Sequence, residues 1–247
     1  MRTSSTRKKP PAQRKPARPE HGSSVNLAFQ QIRELIVLGQ LSAGAWIRES
    51  GLSGRLKMSR TPVRGALYLL QREGYVIQER TSSKSRMMVA PLTIDDAREL
   101  YPMIGAIEGL AGRRAAQLPK PERNAACARL RAINRLLADI ARRRNAAGST
   151  IFDLDREFHR TIVSVGGGPR LRRLHQAIEP QAERYWRLYA NAIIDHLDQS
   201  VEEHEAIIAG LADAEADRLE NALRANWENG CKRLAHVMGM FGDQRHW

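Results

Sequence analysis

The chain has 247 residues, 42% hydrophobic but only 5% aromatic, with 40 Lys/Arg against 27 Asp/Glu and a formal charge of +13. That is enough apolar sequence for one large domain or two modest ones, built on Leu, Ile and Ala, and the excess charge calls for a polyanionic partner such as nucleic acid or an anionic membrane surface. Two widely separated cysteines, Cys127 and Cys231, exclude a disulfide framework and point to a reducing compartment. No apolar run reaches the ~18 residues of a membrane span, and the basic N-terminus lacks the apolar segment of a secretory signal. A soluble, cytoplasmic protein without a membrane partner is expected.

The charge is unevenly placed. Residues 1–20 hold seven Lys/Arg against one Glu, and residues 25–91 hold ten against four, so each segment carries +6 and residues 92–247 carry +1. Residues 1–24, rich in Lys, Arg, Pro and Ser, cannot bury enough surface to offset ordering entropy and are expected to be a disordered basic tail. It serves either as a solubilising segment or as an arm along DNA phosphates.

From Val25 apolar residues recur at helical spacing (Leu27, Ala28, Ile32, Leu35, Ile36), and Gly39 ends the run, so a helix is predicted over 25–39. Residues 41–47 read as a turn and a short extended piece. A second helix follows over 49–56, a turn at Lys57-Met58, and a third helix from Ser59 to about Gly74. Short β-type runs at 75–78 and 87–90 enclose a polar, basic loop. Three helices and a hairpin make a winged helix-turn-helix over 25–91, closed by Pro91. The third helix presents Ser59, Arg60, Thr61 and Arg64 near its N-terminus, while Val63, Ala66, Leu67 and Leu70 form the opposite, apolar stripe. That end of such a helix enters the DNA major groove, where an Arg can donate two hydrogen bonds to guanine. Lys84 and Arg86 on the wing suit the adjacent backbone or minor groove.

Beyond Pro91 the pattern is helical throughout, with no strand and no internal repeat. Thr93 with Asp96 forms a capping-box-like start for a helix reaching about Leu118. Further helices are expected after Pro119, from Ser149 or Thr150 to the glycines at 166–168, as a short and a longer piece broken at Pro180 up to about His196, from Asp198 or Ser200 to Gly210, and from Asp213 onward. The fold class is therefore mainly α: a winged helix-turn-helix followed by an all-α bundle over 92–240.

The Ser59-Arg-Thr-Pro-Val-Arg64 segment, followed by Gly65-Ala66-Leu67, resembles the hallmark of the GntR transcriptional regulators. That family often has Gly at the helix–helix turn, where this chain has Lys57, at some cost in backbone strain. Ile107-Glu-Gly-Leu-Ala111 and Asp155-Arg-Glu-Phe-His159 resemble the effector domain of the FadR-type branch, called FCD. The resemblance implies a homodimer on a palindromic operator, a small organic-acid effector in the bundle, often beside a divalent metal such as Zn, Ni or Mn, and repression as the usual output. Asp155 and His159, four residues apart, share a helix face, and His204 matches a further family ligand. Asn226 stands where the family has another histidine. These residues form either a metal site or a hydrogen-bonded polar cluster. Many relatives place an effector-pairing Arg where this chain has Ile104, so the effector is either less acidic or held by another group such as Arg184 or Arg187. Tyr185, Trp186 and Tyr189 either line the pocket or pack between helices. His175, His196 and His236 are expected in solvated or capping roles. No nucleophile motif or P-loop accompanies the histidines. A metal-dependent enzyme with a DNA-binding head and an effector-free architectural DNA binder are the alternative readings.

Overall fold

The periodic run around Ala28, Ile32 and Ile36 forms α1 (His21–Val37), which begins four residues earlier than the apolar pattern does. The computed structural model describes residues 21–81, 84–143 and 148–241; of the tail expected over 1–24, residues 21–24 form the first turn of α1 instead, and 1–20 lie outside the described residues. Gly39 ends the helical run at φ +70°. Helices α2 (Glu49–Leu56) and α3 (Arg60–Arg72) follow. Lys57 joins them at φ 52°, ψ 39°, a left-handed conformation that glycine adopts without a Cβ penalty. The amides of Lys57 and Met58 close the turn on Gly54 and Ser53 carbonyls. Ser59 sits at the N-cap of α3 with extended backbone, but its hydroxyl makes no capping bond.

The wing is longer than its apolar runs suggest. Strands β1 (Val76–Thr81) and β2 (Lys84–Val89) pair antiparallel, Val76 opposite Val89 and Glu79 opposite Arg86. The polar residues read as loop are strand because a hairpin solvated on its outer face needs no apolar residues there, and the opposed charges add a favourable pair. The expected extended piece appears as a bridge from Trp46 to Met88. Leu52, Val63, Leu67, Leu70, Tyr75 and Val89 close this domain's core on α1.

Among the described residues six helices follow: α4 (Ile94–Ala116), α5 (Lys120–Arg143), α6 (Gly148–Gly166), α7 (Pro169–Ile193), α8 (Leu197–Ala212) and α9 (Ala216–Phe241), with a 3₁₀ turn at Ile194–His196. Thr93 Oγ1 accepts from the Asp96 amide at 3.2 Å, as its spacing predicts. The expected break at Pro180 does not occur, and α7 runs straight through it. Proline removes one helical hydrogen bond, at about 3 kcal/mol, but packing and ion pairs hold both sides. Glu179 pairs with Arg160, Glu183 with Arg156 and Arg187, and Ala182 and Tyr185 are in the core.

Helix α4 is the centre of the bundle. Gly105, Gly109 and Gly112 form a seam on which α9 lies; a Cβ at Gly112 would meet Leu223 Cδ1 at 2.5 Å. On α6, a Cβ at Gly166 would sit 1.9 Å from the Ala111 carbonyl oxygen. Such contacts leave no volume for a methyl group. Gly166→Ala is therefore expected to lower unfolding free energy by about 3 kcal/mol, the upper end for overpacking. Gly54→Ala, on α2 with nothing within 4 Å of the added carbon, should raise it by about 0.5–1 kcal/mol. Urea denaturation of the two variants checks both signs.

Candidate functional site

Two sites emerge, one at each end of the chain. On α3, Pro62, Val63, Ala66, Leu67 and Leu70 are buried, which leaves Ser59, Arg60, Thr61 and Arg64 exposed together. The side chain of Lys84 lies outside the described residues, while Arg86 is exposed on β2. Arg64 is not free to swing. Its Nε lies 3.2 Å from both Glu49 carboxylate oxygens and its Nη2 2.9 Å from Oε2, which raises its already high pKa. Trp46, Arg48 and Tyr68 line the groove between α3 and the wing beside Arg86. Sequence reasoning missed these three, although Tyr68 follows Arg64 by four residues on one helix face.

The second site lies inside the bundle. Asp155, His159 and His204 each offer one ligand atom, all within 4.8 Å of one another. Their orientation comes from residues behind them. Glu108, fully buried on α4, accepts from His159 Nδ1 at 2.5 Å, His175 Nε2 at 2.8 Å and Trp227 Nε1 at 2.7 Å. Burial pushes the Glu108 carboxyl up, but the charge and hydrogen bond of His159 and the bond from His175 outweigh it and hold the group at about 2. Burial likewise lowers His159, yet Glu108 raises it to about 9. Tied through Nδ1, His159 has Nε2 left for a ligand.

His204 is fixed differently. Asn134 Nδ2 donates to Val201 O (3.1 Å) and Glu205 Oε1 (2.6 Å), so its amide oxygen is the acceptor for His204 Nδ1 at 3.2 Å. The ring stacks on Phe158 at 3.8 Å, and burial, followed by the His159 charge, keeps it neutral, well below its usual pKa. Its Nε2 is buried with no hydrogen-bond partner and lies 3.5 Å from Asp155 Oδ1. An orphaned imidazole nitrogen beside a carboxylate is costly unless something binds it, and two imidazole nitrogens with one carboxylate suit a divalent cation, which would displace the proton from His159 Nε2. The donor set fits a metal.

Asp155 and His159 open on a cavity of about 80 Å³ walled by Tyr101, Phe152, Trp186 and Trp227, with Arg156 and Arg233 at its polar side and Asn226 also lining it. Placement departs from expectation at several residues. Arg184 and Tyr185 do not line the cavity but face the domain junction. The Arg184 guanidinium bonds the Ala90 carbonyl, and the Tyr185 hydroxyl lies 2.5 Å from Asp96 Oδ2 and accepts from the Thr93 amide at 3.2 Å. Arg187 grips Glu183, which does line the cavity, at 2.5 Å. The side chain of Tyr189 lies outside the described residues. His175, expected in solvent or at a cap, is buried against Glu108 because α7 packs on α4. Ile104 is buried in apolar packing and offers the cavity no charge. Arg156 sits next to Asp155 in the sequence, and Arg233 follows Asn226 by two helical turns. Those spacings were the available signals.

A profile described as Bacterial regulatory proteins, gntR family matches residues 26–83, and one described as FCD domain matches residues 99–229. The chain belongs to the GntR-family transcriptional regulators that carry an FCD domain. It is similar to a Paenarthrobacter nicotinovorans protein named probable D-xylose utilization operon transcriptional repressor, 29% identical across 85% of this chain and 89% of that one. It is 30% identical, over 57% of its length and 79% of the relative's, to an HTH-type regulator from the TAR-I ttuE-ttuC' intergenic region of Agrobacterium vitis. Among solved structures, E. coli McbR/YncC superposes with a TM-score of 0.65 at 17% identity, over 89% of this chain and 99% of that one, which shows a shared fold. Among the described residues no helix is long and apolar enough to cross a membrane.

The DNA-binding domain makes a direct expectation. Arg60→Ala should cost about 1–3 kcal/mol at one base pair of the preferred site. Glu49→Gln should loosen Arg64 and lessen discrimination at a second base pair, while binding to random DNA tightens through the lost negative charge. Competition titrations with single-base variants of a selected site separate the two effects.

Proposed function

We propose that this regulator is a homodimer whose operator binding responds to a small organic acid held beside a divalent metal in the bundle. The observation that carries the reading is the unpartnered His204 Nε2, buried against Asp155 and His159, which line the cavity. Asp155, His159 and His204 would hold the metal, with Asn226 at the fourth family position. A bound metal would supply positive charge for a carboxylate, and Arg156 or Arg233 at the cavity wall would take its other oxygen. A volume of about 80 Å³ with four aromatic walls suits a compact acid rather than a long acyl chain. The ligand is bound and not converted. Repression is the output assigned, because an effector that disturbs the dimer's geometry releases DNA.

Transmission is assigned to α7. One side of it lines the cavity through Glu179, Ala182, Glu183 and Trp186. On another side Gln181 Nε2 donates to the Glu73 carbonyl at the end of α3 (2.9 Å), and Arg184 bonds Ala90 at the end of the wing. A ligand that favours one position of α7 therefore biases the reading helix, provided its affinity differs between the two positions. Met103 and Leu110, seven residues apart on α4 and about half exposed, form an apolar stripe for the second copy. Two heads related by a two-fold axis would read a palindrome.

Thermal-shift and operator-binding titrations against a panel of small mono- and dicarboxylic acids, with Mn²⁺ present, test the reading. At least one acid should raise the melting temperature and change operator affinity together, and Asp155→Ala should abolish both responses. The Gln181→Ala/Arg184→Met double variant should keep the thermal shift and lose roughly 5-fold or more of the change in operator affinity. No acid doing both would sink the effector assignment; a fully retained operator response in the double variant would sink the α7 route.

A further inference from the structure

Asn226 is where this cavity departs from an all-imidazole set of neutral donors, and its amide is held in one orientation. Asn226 Nδ2 donates to Glu203 Oε2 at 2.8 Å. Only the nitrogen of an amide can donate to a carboxylate, so the assignment of the two amide atoms follows from the partner. Glu203 does not line the cavity; it lines the neighbouring outer groove with Asn229 and Lys232. The nitrogen of Asn226 is thus committed to Glu203, and the oxygen is the branch left for the cavity that Asn226 lines together with Asp155 and His159.

Glu203 itself has no freedom to turn. Arg233 Nη1 and Nη2 bond its two oxygens at 2.7 and 3.0 Å, and Asn229 Nδ2 donates to it at 3.1 Å. With Asn226 that makes four donors, the full acceptor capacity of a carboxylate. Glu203 is therefore saturated, which removes it as a metal ligand and leaves it as the residue that sets the amide.

Resting on the metal-binding reading above, we infer that Asn226 gives its amide oxygen as the fourth protein ligand, turned inward by Glu203 and Arg233. The oxygen biases the site toward a harder divalent ion, Mn²⁺ relative to Zn²⁺. Two imidazoles with two oxygen donors form a harder set than three imidazoles with one carboxylate, and amide and carboxylate oxygens suit Mn²⁺ where imidazole suits Zn²⁺. Zn²⁺ still binds more tightly in absolute terms, as it does at any such N/O site; the bias lies in the ratio. Glu203 is a positioning residue in this arrangement.

The test uses the full chain, stripped of metal with chelator and titrated separately with MnCl₂ and ZnCl₂ by calorimetry, with no DNA or effector present. Asn226→Ala should weaken Mn²⁺ by about 10-fold or more, and Glu203→Ala by about 10-fold. Asn226→His should raise the ratio of Zn²⁺ to Mn²⁺ affinity by about 10-fold. Melting curves in chelator establish that each variant is folded, and Asn226→His decides the matter if the alanine variant is not. Undiminished Mn²⁺ affinity in folded Asn226→Ala, or an unchanged ratio in Asn226→His, overturns the assignment of Asn226. A wild-type chain that takes up neither ion overturns the metal reading itself, and the inference with it.

Discussion

Four helices of the bundle meet on one buried carboxylate. Glu108 on α4 receives donors from α6 (His159), α7 (His175) and α9 (Trp227), with no solvent contact. An ionised carboxylate in such a place is tolerable only because each donor is in position; removing any of them leaves a charge or a polar atom uncompensated. The arrangement also selects the state of His159, which is tied at Nδ1 and therefore aims Nε2 at Asp155 and His204. The same group thus anchors the helices and prepares the cavity. The glycine seam on α4 and the tight contact at Gly166 serve the same end, because only backbones this close bring the three donors onto one side chain.

The proposed coupling between the two sites rests on how α7 is shared. It carries cavity residues on one side and bonds to the ends of α3 and the wing on another, and Pro180 does not interrupt it. A helix kept whole by Glu179, Glu183, Ala182 and Tyr185 can pass a displacement along its length, whereas the two shorter helices expected on either side of Pro180 could not. Arg184, buried and lowered in pKa by that burial, is better suited to bracing a domain junction than to capturing a ligand.

The sequence was most legible where a pattern is local. Val63, Ala66, Leu67 and Leu70 define the inner face of α3 without reference to anything else, and Thr93 with Asp96 marks the start of α4. The pairing of Asp155 with His159 follows from helical periodicity, and family resemblance added His204 and Asn226. Local signals failed where the partner is distant. His175 has no informative neighbour in sequence, since its role depends on a carboxylate 67 positions away. Glu108 stood out only as part of a family segment; nothing nearby shows that three helices converge on it. Asn134, which sets the tautomer of His204, has no sequence signature. Arg184 and Arg187 drew notice as cations on the right helix, but Arg184 lies about 100° round the helix from Glu183 and Arg187 is tied to Glu183, which leaves Arg156 and Arg233 at the cavity wall. The polar wing strands were missed because a solvated hairpin need not alternate.

Equilibrium unfolding of Glu108→Leu in the presence of chelator tests the central role of this carboxylate most directly. With His159 and His175 left buried and unpaired, a loss of about 3–5 kcal/mol is expected, accompanied by loss of the His159 imidazolium signature at pH 7 in ¹⁵N imidazole spectra, because Glu108 is what holds that ring at about 9 against burial. An unfolding midpoint equal to that of the wild type, with His159 still a charged imidazolium at pH 7, would contradict it.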